Sequence, residues 1–299
     1  MVINGKKIAS FLEKEIRKSV RKFKKHQPKL AVFLIGQSAE QLSFVKIKNQ
    51  LAKKLGIKFE FIHYKNTPLF EPFVRKLREV AYQKETTAVI IQQPLPATVS
   101  TESIYDYIPK EKEIEGHHPK SPFLPPIGLA VLTVIKSIFF GGKINNKIII
   151  DKRKDVSFFH RKLKNKKVVV VGQGVTGGVP IGKTLSYFKI NYIGINSKTE
   201  NKEQYYQEAD IIITAVGKKV IEPSMLKPGV ILINVGLRKE NGKLKGDYDE
   251  KEIKNIASFY TATPGGIGPI DVAYLYKNLV DAARLQKKYC RDTPWRVST

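Results

Sequence analysis

Residues 166–178 of this 299-residue chain read "KKVVVVGQGVTGG", in which Gly172, Gly174 and Gly177 make G-x-G-x-x-G. The motif directly follows a run of valines and precedes a helical stretch from about Val179 to Phe188. In that setting the first glycine permits a sharp turn, the second lets a pyrophosphate approach the backbone, and the third lets the helix pack closely. The helix N-terminus offers phosphate its N–H groups and the positive end of its dipole. Some 20 residues further on, an Asp or Glu would bind a ribose 2′-hydroxyl and select NAD. Here "NYIGI" ends instead in Asn196, Ser197 and Lys198. With no carboxylate to repel a 2′-phosphate and two donors beside it, the turn favours NADP and leaves NAD open.

A second group of residues precedes this motif. Lys48 lies four residues after Phe44, on the same face of a helix. A lysine facing a semi-apolar cleft can exchange protons near neutrality; taken alone, Lys48 is one of 53 basic residues, and most such residues are solvated. Gln92 and Gln93 end an apolar strand before Pro94. At least one of these amides therefore lies at a strand's carboxyl end, where open α/β sheets bind ligands. Glu115, in the loop "KEKEIEGHH", can pair with a guanidine-like ring edge or stand in solvent. The chain shows no Ser/His/Asp order, no nucleophilic cysteine and no Cys/His cluster with zinc spacing, and its single cysteine, Cys290, cannot form an internal disulfide.

The elements that must position these residues alternate. Ile8, Phe11, Leu12, Ile16, Val20 and Phe23 predict an amphipathic helix over 6–23. Strands are expected at 29–36, at 57–64 and in "TAVIIQQPLP" (87–96), where the strand runs into a proline-rich loop, with helices at 39–55, ending at Gly56, and at 69–84. This βαβαβ order implies a parallel sheet. "PPIGLAVLTVIKSIFFGG" (125–142) reads as a proline-started, glycine-ended helix, and the lysine-rich 143–165 as a surface excursion. Further strands are expected at 167–171, 191–195, 210–215, 230–234 and near 257–260, and a last helix at 269–289. The fold class is α/β with two domains, the second Rossmann-like.

Hydrophobic residues at 42% suit a globular chain with real cores. No apolar run reaches the roughly 18 residues of a membrane helix, and "MVINGKKIASFLEKEIRK" lacks the apolar region of a signal peptide, so a cytoplasmic protein without a structural metal is expected. The net charge of +26 exceeds what solubility requires. Nucleic-acid binding would explain it, but no known module accompanies it, and a bias toward lysine on solvated faces is the favoured account.

The segments "KLAVFLIGQSAEQLSFVKIK", "AVIIQQPLP", "KEKEIEG", "VVVVGQGVTGGVP" and "TATPGGIGPIDVAYL" occur in this order over nearly the whole chain. Together they resemble the bifunctional methylenetetrahydrofolate dehydrogenase/methenyltetrahydrofolate cyclohydrolases, with "QQPLP" and "TPGGIGP" the most specific. The resemblance implies oxidation of 5,10-methylenetetrahydrofolate by hydride transfer to NADP, then hydrolysis of the methenyl product to 10-formyltetrahydrofolate in the same cleft, a step in the one-carbon supply of purine biosynthesis. It implies a folate-binding catalytic domain of residues 1–140 and 270–299, a dinucleotide-binding domain of 141–269 and a homodimer. Lys48 matches the catalytic lysine and Gln92 the glutamine that orients it. Glu115 stands where the family has an aspartate holding the pterin, and Pro264, Gly265, Gly266 and Gly268 match the loop that closes over folate and nicotinamide.

Several positions depart from the family pattern. Phe44 replaces a tyrosine, keeping the ring that can stack on the pterin and losing the hydroxyl. Glu115 is one methylene longer than aspartate, Gln173 replaces an arginine that would favour the 2′-phosphate, and Asp271 replaces a threonine. "FLPP" (123–126) stands for "PCTP", and the stretch around 145–160 reads as an insertion. Phe44 raises the alternative of a dehydrogenase with weak or lost cyclohydrolase activity. The charge keeps a basic nucleic-acid-binding protein on this scaffold as a further alternative.

Overall fold

Apolar runs bounded by glycine and proline dictate where the strands form, and the computed structural model describes residues 1–23 and 26–292. β1 (Val2–Ile3) leads into α1 (Gly5–Val20), which buries Ile8, Leu12 and Ile16 on one face. The expected alternation follows as β2 (Lys29–Ile35), α2 (Ala39–Leu55), β3 (Lys58–Tyr64), α3 (Phe70–Tyr82) and β4 (Ala88–Ile91). These strands pair in parallel in the order β3-β2-β4, with Ile35 opposite Tyr64 and Phe33 opposite Ile91. The first strand of the three is the central one, so the chain crosses from one side of the sheet to the other between β3 and β4. Open sheets of this kind leave a ligand crevice beyond the carboxyl ends of the strands at that switch point, here after β2 and β4.

α4 (Pro126–Phe139) and α5 (Asp155–Leu163) lead to β5 (Val168–Val171), α6 (Gly178–Tyr187), β6 (Ile193–Ile195), α7 (Lys202–Glu208), β7 (Ile211–Thr214) and β8 (Ile231–Asn234). A hairpin of β9 (Arg238–Glu240) and β10 (Lys243–Lys245), then α8 (Glu250–Ile253), β11 (Phe259–Thr261) and α9 (Ile267–Asp292), complete the described chain. Among the described residues, six strands form a second parallel sheet in the order β1-β11-β8-β7-β5-β6. Its order reverses about β5, which places a second switch point at the carboxyl ends of β5 and β7. Among the described residues no helix is long and apolar enough to cross a membrane.

By compactness the chain divides into Met1–Leu12 with Pro125–Tyr274, and Glu13–Leu124 with the chain from Leu275 on. These bounds differ from the functional halves expected at 140/141 and 269/270. α4 groups with the six-stranded sheet because it packs on α6 so closely that a Cβ on Gly128 would overlap the Thr184 side chain.

The structure corrects the reading of 143–165 as a surface excursion, since α5 buries Phe159 completely between Phe158 and Phe188. The lysines that crowd the sequence on both sides of the helix mask this aromatic anchor. Two short elements were also missed. β1 has only two residues, and the β9–β10 hairpin turns at Asn241 and Gly242, both with positive φ, as a type I′ turn requires. The side chain of Cys290 lies outside the described residues.

Candidate active site

Ser38 caps α2 through its hydroxyl, and Gly56 closes the helix in the left-handed conformation. Val45, Ala52 and Leu55 bury one face, which leaves Gln41, Phe44 and Lys48 on an adjoining stripe at helical spacing. The Lys48 ammonium donates to Gln92 Oε1 at 2.7 Å, and Gln92 Nε2 donates in turn to the Gln93 carbonyl at 2.9 Å. Gln92 is only 8% exposed and follows β4 directly, so its amide is held at the switch point of the first sheet. The backbone under Lys48 is pinned as well, because the buried Tyr276 hydroxyl donates to the Lys48 carbonyl at 2.6 Å. Burial pushes the Tyr276 phenol well above its ordinary pKa, which keeps it a donor. One of the three ammonium N–H bonds is thereby committed, and two point elsewhere for substrate or water. Phe44, one turn earlier and half-buried, presents a ring without a hydroxyl.

Gln93 turns the other way, donating to the Tyr105 hydroxyl at 2.8 Å, and Tyr105 stacks on His117 with ring centroids 4.7 Å apart. The loop that carries the half-buried Glu115 is built on Glu113, 1% exposed, whose carboxylate accepts the N–H of Glu115 at 2.8 Å and of His118 at 3.2 Å. Burial drives the Glu113 carboxyl above its ordinary pKa; His117 and the two N–H groups pull it down, and Glu115 pushes it up. Asn278, on α9, donates to the carbonyls of Ile114 at 2.9 Å and Leu124 at 3.0 Å, clamping both ends of the loop. Sequence reasoning missed Glu113, Asn278 and Tyr276. Glu113 is one of three acids in "KEKEIEG", and nothing in that local pattern says which of them faces inward. No local pattern marks Asn278 or Tyr276.

At the second switch point, Gly172 has φ +94° and a Cβ there would lie 2.5 Å from the Ala215 carbonyl oxygen. One on Gly177 would lie 3.0 Å from the Ala215 Cβ, and nothing stands within 4 Å of one on Gly174. The first glycine therefore serves the turn and the second leaves the backbone open to a ligand, as a pyrophosphate requires. The tightest packing falls at Gly178, where a Cβ would overlap the Gly172 carbonyl, so the close helix-strand approach expected of Gly177 is shared with its neighbour. Gln173 folds back to donate to the Val170 carbonyl at 3.3 Å, over Gly194. The turn after β6 is exposed: Asn196 accepts the Lys198 backbone N–H at 2.8 Å, and the Lys202 amine donates to the Ser197 carbonyl at 2.9 Å. These residues fit a dinucleotide with its pyrophosphate at the start of α6.

The 264–266 loop leads into α9, whose first turn holds Gly268. Gly265 has φ +106°, a Cβ on Gly5 would overlap the Gly266 carbonyl oxygen, and nothing stands within 4 Å of a Cβ on Gly268. Glu250 accepts the Thr263 N–H at 2.7 Å just before Pro264, and Asp271 sits in the first turns of α9, partly exposed. The structure thus brings Lys48 to Gln92 and closes Gly172 and Gly177 on Ala215. It seats Glu115 on Glu113.

Two family models match the chain: the catalytic domain of tetrahydrofolate dehydrogenase/cyclohydrolase over residues 3–115, and the NAD(P)-binding domain of the same family over residues 155–287. The chain is 30% identical over 290 residues to the bifunctional protein FolD of Staphylococcus epidermidis, covering 96% of this chain and 97% of the relative. It is 28% identical to the FolD of Staphylococcus carnosus over 299 residues, with 96% and 98% covered. The crystal structure of the bifunctional enzyme FolD from Campylobacter jejuni superposes with a TM-score of 0.84 at 25% identity, over 96% of this chain and 99% of that one. The Trypanosoma brucei enzyme, complexed with NADP cofactor and inhibitor, shares the fold with a TM-score of 0.83 at 21% identity, over 96% and 98%.

Proposed function

Because the chain belongs to the tetrahydrofolate dehydrogenase/cyclohydrolase family, we propose that it oxidises 5,10-methylenetetrahydrofolate to the 5,10-methenyl form and hydrolyses that product to 10-formyltetrahydrofolate. The observation that carries this reading is the Lys48–Gln92 pair at the carboxyl end of β4. A bound NADP supplies the hydride acceptor. Gly172, Gln173, Gly174 and Gly177 are assigned to its pyrophosphate turn, and Ser197 and Lys198, with Lys202 beside them, to its 2′-phosphate.

On the folate side, Lys48 holds and moves a proton at the folate nitrogens, with Gln92 fixing the direction of the ammonium. Glu115 accepts the donor edge of the pterin, and Phe44 packs against its face. Further substrate contacts are assigned to Pro264, Gly265, Gly266, Gly268 and Asp271. Hydride transfer needs proximity and restricted water rather than a protein hydroxyl. Hydrolysis needs an admitted water whose protons are managed, and Lys48 is the group suited to that. Phe44, which brings no hydroxyl, favours one second reading, a dehydrogenase with weak cyclohydrolase activity. A homodimer in the cytoplasm, feeding purine biosynthesis, completes the proposal.

An absorbance assay with methylenetetrahydrofolate and either NADP or NAD tests it. Reduced cofactor without persistent methenyl product, after correction for spontaneous hydrolysis, is the expected result. Methenyl accumulation selects the dehydrogenase reading, and no turnover with either cofactor overturns both.

A further inference from the structure

Asp247 takes no part in the chemistry just assigned, yet it is completely buried and bonded throughout. Its Oδ2 accepts the Val216 N–H at 2.9 Å and its Oδ1 the Gly217 N–H at 2.8 Å. Its carbonyl accepts the Val220 N–H at 2.8 Å. The segment so held follows β7 and begins with Ala215, the residue on which Gly172 and Gly177 close. Gly236 makes room for the carboxylate, which a Cβ there would overlap.

On its other side Asp247 reaches a different loop. Its N–H donates to Asn234 Oδ1 at 2.8 Å, and Thr214 Oγ1 donates to the same oxygen at 3.1 Å. Asn234 Nδ2 donates to the Gly236 carbonyl and to Thr263 Oγ1, both at 2.8 Å. All four hydrogen-bonding positions of this buried amide are filled, so the network has one satisfied geometry and displacing either end leaves a buried polar group unpaired.

From this network we infer that Asp247 is a positioning residue for the dinucleotide site, a role that rests on the dinucleotide reading above. Through Asn234 it couples the Ala215–Gly217 turn, which backs the glycine turn, to the Thr263–Gly266 loop. The two segments set as one unit, and losing the carboxylate loosens both. Asp247→Asn keeps the volume but aims an NH₂ group at a backbone N–H donor.

The test uses the full chain and the variants Asp247→Asn and Phe159→Leu, the latter lowering stability from α5 without touching the network. Without any dinucleotide, amide hydrogen exchange in Asp247→Asn is expected to accelerate in peptides covering both 212–220 and 261–268, and to stay unchanged there in Phe159→Leu. Titration with NADPH is expected to give about a tenfold weaker Kd for Asp247→Asn and an unchanged one for Phe159→Leu. Faster exchange in only one segment, equal changes in both variants, or a wild-type Kd in Asp247→Asn would overturn the inference. A wild-type chain that binds no NADPH would instead sink the dinucleotide reading, while the exchange data still decide the coupling. Should Asp247→Asn fail to fold, Thr263→Val removes the far end of the network and must accelerate exchange at 212–220.

Discussion

The Lys48 ammonium rests 2.7 Å from Gln92 Oε1, and that oxygen cannot swing away because the amide nitrogen is tied to the Gln93 carbonyl. If this ammonium manages the proton traffic of hydrolysis, Lys48→Met lowers the rate of methenyl hydrolysis by about 10²–10⁴-fold. Gln92→Leu costs less, since the amine remains and only its direction is lost. NADPH affinity stays within about twofold in both, because neither residue belongs to the proposed dinucleotide turn. Stopped-flow absorbance of the methenyl form checks the first two statements and fluorescence titration the third.

Phe44 lies one helical turn before Lys48 and offers no hydroxyl. Phe44→Tyr is expected to raise hydrolysis while leaving the hydride-transfer rate unchanged. Equal rates for both steps before and after the change would show that the hydroxyl is not what limits this chain.

Gly178→Ala places a methyl group where the Gly172 carbonyl stands. The turn or the start of α6 must shift, at a cost of about 1–3 kcal/mol. Thermal unfolding should show the loss, and the stabilisation expected of NADPH added to wild type should shrink with it. Gly174→Ala, with open space around the position, should leave apo stability nearly unchanged and lose affinity.

Burial raises the Glu113 carboxyl above its ordinary 4.5, against the pull of His117 and of the Glu115 and His118 N–H groups, with Glu115 adding to the rise. A folded state that holds this proton more tightly than the unfolded chain gains stability at low pH, and that gain is lost as pH rises through the folded-state value. Glu113→Gln has no such proton to lose, so its Tm relative to wild type should climb as pH rises above the ordinary value of 4.5. A difference that is flat with pH would refute the assignment.

Lys136 and Asp155, each 5% exposed, meet at 2.6 Å, and Lys136 also donates to the Ile149 carbonyl at 3.0 Å. Lys136→Met strands a buried carboxylate and should cost about 3–5 kcal/mol in a denaturant titration. The double variant Lys136→Met/Asp155→Leu should recover most of this, leaving the Asp151 N–H and the Ile149 carbonyl as the residual losses.

Much of this was readable before the fold was known. Valine runs followed by glycine placed β5 and its turn, and "QQPLP" placed Gln92 at a strand end, because period, length and turn chemistry are local properties that each segment carries within itself. The same locality explains the failures. Nothing near Phe159 says that Phe158 and Phe188 will enclose it, and a two-residue strand such as β1 exists only because β11 is there to pair with it.

By itself the sequence determined the α/β alternation, the glycine turn, the family and the identity of the lysine and glutamine. Only the tertiary structure decided that Lys48 meets Gln92, that Gly178 rather than Gly177 is the tightest glycine, and that Asp247 binds two loops through Asn234. Those relationships join residues 44, 6 and 13 positions apart. Their strength comes from burial, which removes water as the competing partner, and burial is a property of the assembled chain.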